Sequence, residues 1–279
     1  MGRLILNADD FGLTAGVNRA IAELHRAGRL TSATLMARAA ATDEAINLAR
    51  AMPTLGVGCH VVLVDGEPQL PAQQLPTLVD ARTGRFHPTL GAFLRRLLAG
   101  RIRSSEIEAE TAVQIALLQS EGVKLTHIDT HKHTHIFPVV LRPVLRAATA
   151  AGIRAIRNPF EPEWSLRATH SAPFIRRAEV RLLRLLEPAF RRIVAEEGFS
   201  TTDGALGVLA TGTLDAATTA ALLGNLPAGT WELVSHPGYN DADLARAHTR
   251  LLASRETERE ALASFHLRDE IELVDFSRL

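Results

Sequence analysis

The chain reads as an α/β protein, a distorted (β/α) barrel of seven or eight strands formed by a single domain over residues 1–279. Short apolar runs alternate with helix-periodic ones from end to end, the pattern of parallel strands joined by crossover helices. A length of 279 residues fits one large α/β barrel. Clusters of Asp, His and Arg close several strand-like runs, and barrels gather their chemistry at the carboxyl ends of their strands.

Residues 3–8 form a short apolar strand, and residues 14–27 follow with helical spacing at Val17, Ile21 and Leu24 and a stop at Gly28. Residues 30–36 are a second strand and 42–51 an alanine-rich helix. Strands three to seven are read at 55–64, 123–129, 153–157, 206–211 and 231–235. Residues 271–276 are either an eighth strand or a terminal tail. Helical patterns over 105–121, 139–151 and 214–226 separate these runs. Two insertions stand out, at about 65–104 and 158–205.

Composition narrows the classes. The chain is 46% hydrophobic and 22% charged, so it can bury a core beneath an ordinary surface. Its formal net charge is zero, and no global basic field points to nucleic acid. The single cysteine, Cys59, excludes an internal disulfide framework and suits a reducing compartment. No signal peptide or membrane-spanning run is evident, and the expected location is the cytoplasm. Oligomeric state is not readable from the sequence.

Residues 127–135 hold four of the chain's eleven histidines. In an extended segment His127, Asp129, His131, His133 and His135 share one face, since side chains alternate along a strand. A row of imidazoles is poor core material but good metal-ligand material. Other polar groups end other strands: Asp9 and Asp10 the first, His60 the third, Arg157 the fifth and His236, before Pro237, the seventh. Each has a plainer reading. Paired aspartates serve as helix caps, a His-Pro can begin a turn, and Arg157 can be an ordinary ion-pair partner. His127 reads as a structural histidine, and alternation turns Cys59 away from His60. Convergence of so many polar strand ends on one rim favours an active site.

Four motifs in order resemble the YdjC-like carbohydrate deacetylases: Ala8-Asp9-Asp10-Phe11-Gly12, Gly58-Cys59-His60, the Asp129-x-His131-x-His133-x-His135 segment and His236-Pro237. The resemblance spans nearly the whole chain. It implies a NodB-like barrel of the glycoside hydrolase/deacetylase type, and metal-dependent hydrolytic N-deacetylation of an N-acetylglucosamine-type sugar. Residues 63–68, 131–133 and 157–162 look most like the branch associated with hopanoid biosynthesis, which implies a lipid-linked acetylglucosaminyl substrate; a chito-oligosaccharide is the alternative. By the same resemblance Asp10, His60 and His131 bind one divalent metal ion. Zinc or magnesium is expected first, with manganese, cobalt or nickel as alternatives. Asp9 matches the general base that activates water, and His236 is the candidate acid for the departing amine. Arg157 is expected to grip a sugar hydroxyl or orient a catalytic carboxylate, and His133 to touch the substrate or back a ligand.

Two rival classes are a metal-dependent phosphoesterase, with Arg157 and Lys132 as its phosphate-binding groups, and a catalytically inactive sugar-binding protein. Residues 174–193 alternate apolar positions with Arg176, Arg177, Arg181, Arg184, Arg191 and Arg192. Such a basic amphipathic segment either covers the barrel as a surface helix or lies at the inner face of a membrane. In the second case Val180, Leu183 and Leu186, or Phe93 and Leu97, line an apolar wall beside the site, and Arg176, Arg177 and Arg184 meet anionic headgroups.

Overall fold

A computed structural model describes residues 2–170 and 172–279. Its centre is β1 (Gly2–Phe11), buried along almost its whole length. The chain continues through α1 (Ala15–Arg26), β2 (Ser32–Leu35), α2 (Thr42–Ala51), β3 (Gly56–Val61), α3 (Leu90–Leu98), α4 (Ser104–Ser120) and β4 (Leu125–Thr130). After it come α5 (Pro138–Ala150), α6 (Glu163–Ala168), α7 (Phe174–Leu183), α8 (Glu187–Glu196), β5 (Gly204–Leu206), α9 (Ala216–Gly224), β6 (Gly229–Ser235), α10 (Ala242–Arg246), α11 (Ala253–Ser264) and β7 (Ile271–Leu273). The strands form one parallel sheet in the order β4-β3-β2-β1-β6-β5, a half-barrel. β7 pairs with residues 2–4 of β1 along the edge that β2 uses further on.

Period-two alternation gives the sheet two unlike faces. Leu4, Leu6 and Ala8 of β1 join Cys59, Ile128, Leu206 and Leu233 in the large apolar cluster shared with the helices. Ile5 points the other way, into a small plug with Ala155, Val274 and Phe276. Beyond Ile5 the same face of β1 carries Asn7 and Asp9, both buried. The inner face is therefore apolar at its amino end and polar toward the carboxyl ends of the strands.

Several boundaries differ from the sequence reading. Residues 153–157 are not a regular strand: Ala155 and Ile156 make single bridges, to Ser200 and to Ile128 of β4. The expected strand at 206–211 is instead Gly204–Leu206. It ends because Gly207 adopts φ +83°, with Val234 O only 2.7 Å from where a Cβ would sit. The tail does pair, as β7, so seven strands are reached by another route.

The loops that carry the insertions are fastened by buried carboxylates. Glu110 of α4 accepts the N–H groups of Gln69 and Leu70 at 2.8 and 3.0 Å, and Glu106 accepts those of Thr77 and Leu78 at 2.8 and 3.2 Å. Phe93 and Leu97 are buried in the main core, so neither lines a substrate wall. On α7 the arginines turn inward. Arg176 donates to the carbonyls of Val208 and Leu209, Arg177 to those of Leu166 and Thr169, and Arg181 pairs with Glu163. The outward positions are Phe174, Ile175, Leu182 and, just beyond the helix, Leu185, between 66% and 80% exposed. The expected polarity of this helix is thus reversed. No helix among the described residues is long and apolar enough to cross a membrane.

Candidate active site and metal centre

Asp9 and Asp10 end β1 but serve different partners. Asp9 keeps to the inner face, whereas Asp10 has left-handed backbone, φ 63°, a conformation uncommon for a non-glycine residue. Its Oδ1 lies 3.6 Å from His60 Nε2 and 3.6 Å from His131 Nδ1, and those two nitrogens are 3.3 Å apart. The three ligand atoms lie within 4.8 Å of one another. Two imidazoles and one carboxylate suit a divalent metal that keeps open positions. His60 Nδ1 is held by Asp129 Oδ1 at 2.8 Å, which fixes the ring and leaves Nε2 turned toward the Asp10–His131 cluster, where it could take a metal. Burial opposes a charge on His60, but Asp129, Asp9 and Asp10 outweigh it and raise its pKa to about 9.

His131 opens a 3₁₀ turn over His131–Ile136 rather than extending β4, and Lys132 and His133 have φ of 57° and 51°. The histidines therefore do not share one face. His131 alone reaches the ligand cluster. His133 lies half-buried on the turn, and burial lowers its pKa to about 3. His135 is buried against Thr130 Oγ1 at 2.8 Å and the Arg157 carbonyl at 3.3 Å. His127 stacks on Phe276 with ring centroids 3.8 Å apart, as a structural histidine does. Among the described residues, the non-glycine positions with left-handed backbone are Asp10, Asp65, Lys132 and His133. Lys132 Nζ pairs with Asp65 Oδ2 at 2.7 Å. Strain of roughly 1–3 kcal/mol per residue is thus concentrated around the candidate ligand His131.

Below the ligands sits an ion cluster. Arg157, fully buried, bonds Asp9 through Nη1 at 2.9 Å and Nη2 at 2.6 Å, and Glu232 of β6 through Nε at 2.8 Å. Its Nη1 also bonds Asp129. Of the two roles expected of Arg157, this geometry fits the orientation of a carboxylate. Asp9 Oδ1 further accepts Asn7 Nδ2 at 2.9 Å and Thr34 Oγ1 at 3.0 Å. Burial pushes the Asp9 carboxyl up, but the Arg157 guanidinium, with His60 and His236, holds it well below the usual range. Glu232 is pushed up to about 7, chiefly by burial.

His236 follows β6, and its Nε2 lies 3.8 Å from Asp9 Oδ2. Its backbone N–H donates to Glu258 Oε2 at 2.6 Å, and the same oxygen lies 3.7 Å from its ring Nδ1. Burial opposes its charge, yet Glu258, Asp9 and Asp10 raise its pKa, which favours the protonated ring. Asn7, Thr34, Glu232, Arg255 and Glu258 belong to the site although the sequence did not single them out. Glu232 left one signal, a charge inside the apolar run 231–234. Arg255 and Glu258 left none, because 254–260 is charged almost throughout.

Comparison with known proteins follows this geometry. The family profile described as YdjC-like protein matches residues 3–272. A carbohydrate deacetylase of Thermoanaerobacter pseudethanolicus is 29% identical over 262 residues, 94% of this chain and 91% of its own. A carbohydrate deacetylase of Brevibacillus brevis is 43% identical over 146 residues, and a chitooligosaccharide deacetylase of Salmonella typhimurium 38% over 152. These two matches span 52% and 54% of this chain, and about half the relatives' length, 55% and 57%. A solved Enterococcus faecalis structure, provisionally assigned to cellobiose-phosphate cleavage, superposes with a TM-score of 0.74 at 24% identity, over 99% of this chain and 98% of that one. It establishes the likeness of fold.

Proposed function

This chain belongs to the YdjC-like family, and from that membership we propose a metal-dependent hydrolase that removes the N-acetyl group of an N-acetylglucosamine-type sugar. The observation that carries the reading is the meeting of Asp10, His60 and His131 beside an ionised Asp9 and a protonatable His236. Bound to the first three, a divalent metal supplies Lewis acidity toward a carbonyl oxygen and a water. Asp9 presents Oδ2 as the proton acceptor. Arg157 keeps that carboxylate charged and oriented, at the cost of basicity. His236, charged through Glu258 and the two aspartates, delivers a proton to the departing nitrogen, since an amide nitrogen leaves only as an amine. The half-buried His133, neutral at working pH, touches the sugar from the rim.

A phosphoesterase needs cations free to meet phosphate. Arg157 is saturated by three carboxylates and Lys132 is paired with Asp65, which favours the deacetylase. An inactive sugar-binding module has no use for the buried Asp9–Arg157–Asp129–Glu232 cluster. The relatives' names point to an acetylated carbohydrate as the substrate class. Within it a lipid-linked sugar suits the outer face of α7, whose Phe174, Ile175 and Leu182 are exposed. The helix is tied by Arg176 to the loop after β5, and that loop is tied through Gly212 to Glu258 at the site, so it borders the same rim. The enzyme then works peripherally at a membrane.

Acetate release decides the matter. N-acetylglucosamine conjugates, soluble and lipid-linked, are incubated with the protein as isolated, after chelation, and after return of zinc, magnesium or manganese. Acetate lost on chelation and restored by metal is the expected result. Acetate release that survives full metal removal sinks the metal assignment, and release of phosphate from sugar phosphates instead sinks the reaction class.

A further inference from the structure

Two charged residues of α11 leave solvent almost completely: Arg255 is 0% and Glu258 1% exposed. Three positions apart, they share one face of the helix. Arg255 Nη2 donates to Asp10 Oδ2 at 2.5 Å, the oxygen opposite the one that faces His60 and His131. The Arg255 carbonyl accepts the Gly238 N–H at 3.1 Å, two residues past His236. Glu258 Oε2 accepts the His236 N–H at 2.6 Å and lies 3.7 Å from His236 Nδ1, while its Oε1 accepts the Gly212 N–H at 3.1 Å. One turn of helix thus holds the end of β1, the end of β6 and the loop after β5.

Burying charge on a helix is expensive, and an apolar pair of similar volume packs a helix onto a sheet at least as well. Here the charges meet the candidate ligand Asp10 and the candidate acid His236. Asp10 also needs outside help to be aimed: its left-handed backbone takes it out of the strand's alternation. Holding Oδ2 leaves Oδ1 toward the two histidines. His236 stands before Pro237, beyond the last ladder bond of β6, and its ring faces Glu258 from α11 and Asp9 and Asp10 from β1.

We propose that Arg255 and Glu258 are positioning residues, through which α11 aims the Asp10 carboxylate at His60 and His131 and sets the His236 imidazole against Asp9. The metal reading above enters only through one readout. Crystal structures of Arg255→Met and Arg255→Lys, zinc titration calorimetry of both, and NMR titration of His236 in metal-free Glu258→Gln make the test. In Arg255→Met the Asp10 carboxylate turns away from the histidines and zinc affinity falls about 10- to 100-fold, as for other groups that orient metal ligands. Arg255→Lys recovers part of both. Glu258→Gln keeps an acceptor for the His236 N–H, so the loop stays, while the His236 titration midpoint falls by about one pH unit. An Asp10 that stays in place in Arg255→Met, or an unmoved His236 midpoint in Glu258→Gln, overturns the proposal. A parent protein that binds no zinc, magnesium or manganese overturns the metal reading instead, and the position of Asp10 still decides this one.

Discussion

Asp9 and Asp10 differ by one position in sequence and by a backbone region in structure, and the roles proposed for them divide on that account. Asp9, just past the last ladder pair of β1 with β6, keeps to the inner face toward Arg157; Asp10 turns at φ 63° toward His60 and His131. Asp9→Asn should retain metal and lose about 10²–10⁴-fold in acetate release, the usual worth of a general base. Asp10→Asn should lose both. Metal content and rate, measured on the same samples, check this, and the opposite pattern exchanges the two roles. Gly58 is a second residue whose identity follows from a neighbour. The His127 ring lies 2.5 Å from where a Gly58 Cβ would sit. Gly58→Ala should therefore cost about 1–3 kcal/mol through overpacking, read from the urea midpoint at constant slope. The Ala-Asp-Asp motif and, through the family resemblance, the two expected roles were legible in the sequence, but the geometry that separates the two carboxylates was not, because a single dihedral makes it.

At the scale of elements, the His-rich segment and α7 both depart from simple periodicity. An extended segment would aim five side chains one way, but β4 ends at Thr130 and the next residues turn at Lys132 and His133. Only His131 joins the ligand cluster as a result. Helix α7 shows the reverse failing. Its arginines looked like a solvated face, yet they find carbonyls and Glu163 on the body of the protein and leave the apolar side outward. Partners for these guanidinium groups come from segments 8 to 33 residues away, as in Arg177 with Thr169 and Arg176 with Leu209, and helical periodicity is blind to them. If that outer face meets lipid, Phe174→Ser with Leu182→Ser should weaken co-sedimentation with anionic liposomes and slow turnover of a lipid-linked acetylated sugar, with rates on soluble chito-oligosaccharides unchanged. Equal binding by parent and variant removes the membrane role from α7.

Across the whole molecule the site acts as a fastening of the sheet. Its candidate ligands come from β1, β3 and the turn after β4, and Arg157 joins carboxylates of β1, β4 and β6. A metal bound only by the folded state stabilises it by mass action, about 2.7 kcal/mol at a hundredfold excess over Kd. Removing it with a chelator should lower Tm by roughly 5–10 °C at about 2–4 °C per kcal/mol. An unchanged Tm in calorimetry would contradict binding at these residues. Acid should act through the buried histidines. Burial holds the His127 pKa at about 3, against roughly 6.5 in an unfolded chain. A folded-state pKa that is depressed means that the unfolded state takes up protons first, so the stability is present above about pH 6.5 and is lost as pH falls toward 3. This single group contributes a slope of about 1.4 kcal/mol per pH unit within that window. His127→Leu should flatten the parent's fall in urea midpoint between pH 6 and 4, and parallel curves for the two proteins would refute the assignment.

By itself the sequence determined the β-α alternation, the carboxyl-end rim and the residues that meet there. Those properties are carried by local hydrophobic period and by short motifs: Asp9-Asp10, His60, His131 and His236 can be found without knowing which strands are neighbours. Tertiary structure alone decided how the groups are held. Arg157 reaches Asp9 across 148 positions and Glu232 across 75, and Arg255 reaches Asp10 across 245. No local pattern encodes such pairs, since they exist only once β4, β1 and β6 curve together in one sheet and α11 packs at the ends of β1 and β6. Burial then fixes the charges, because a carboxylate or guanidinium taken out of water is stable only against the partner that folding brings to it.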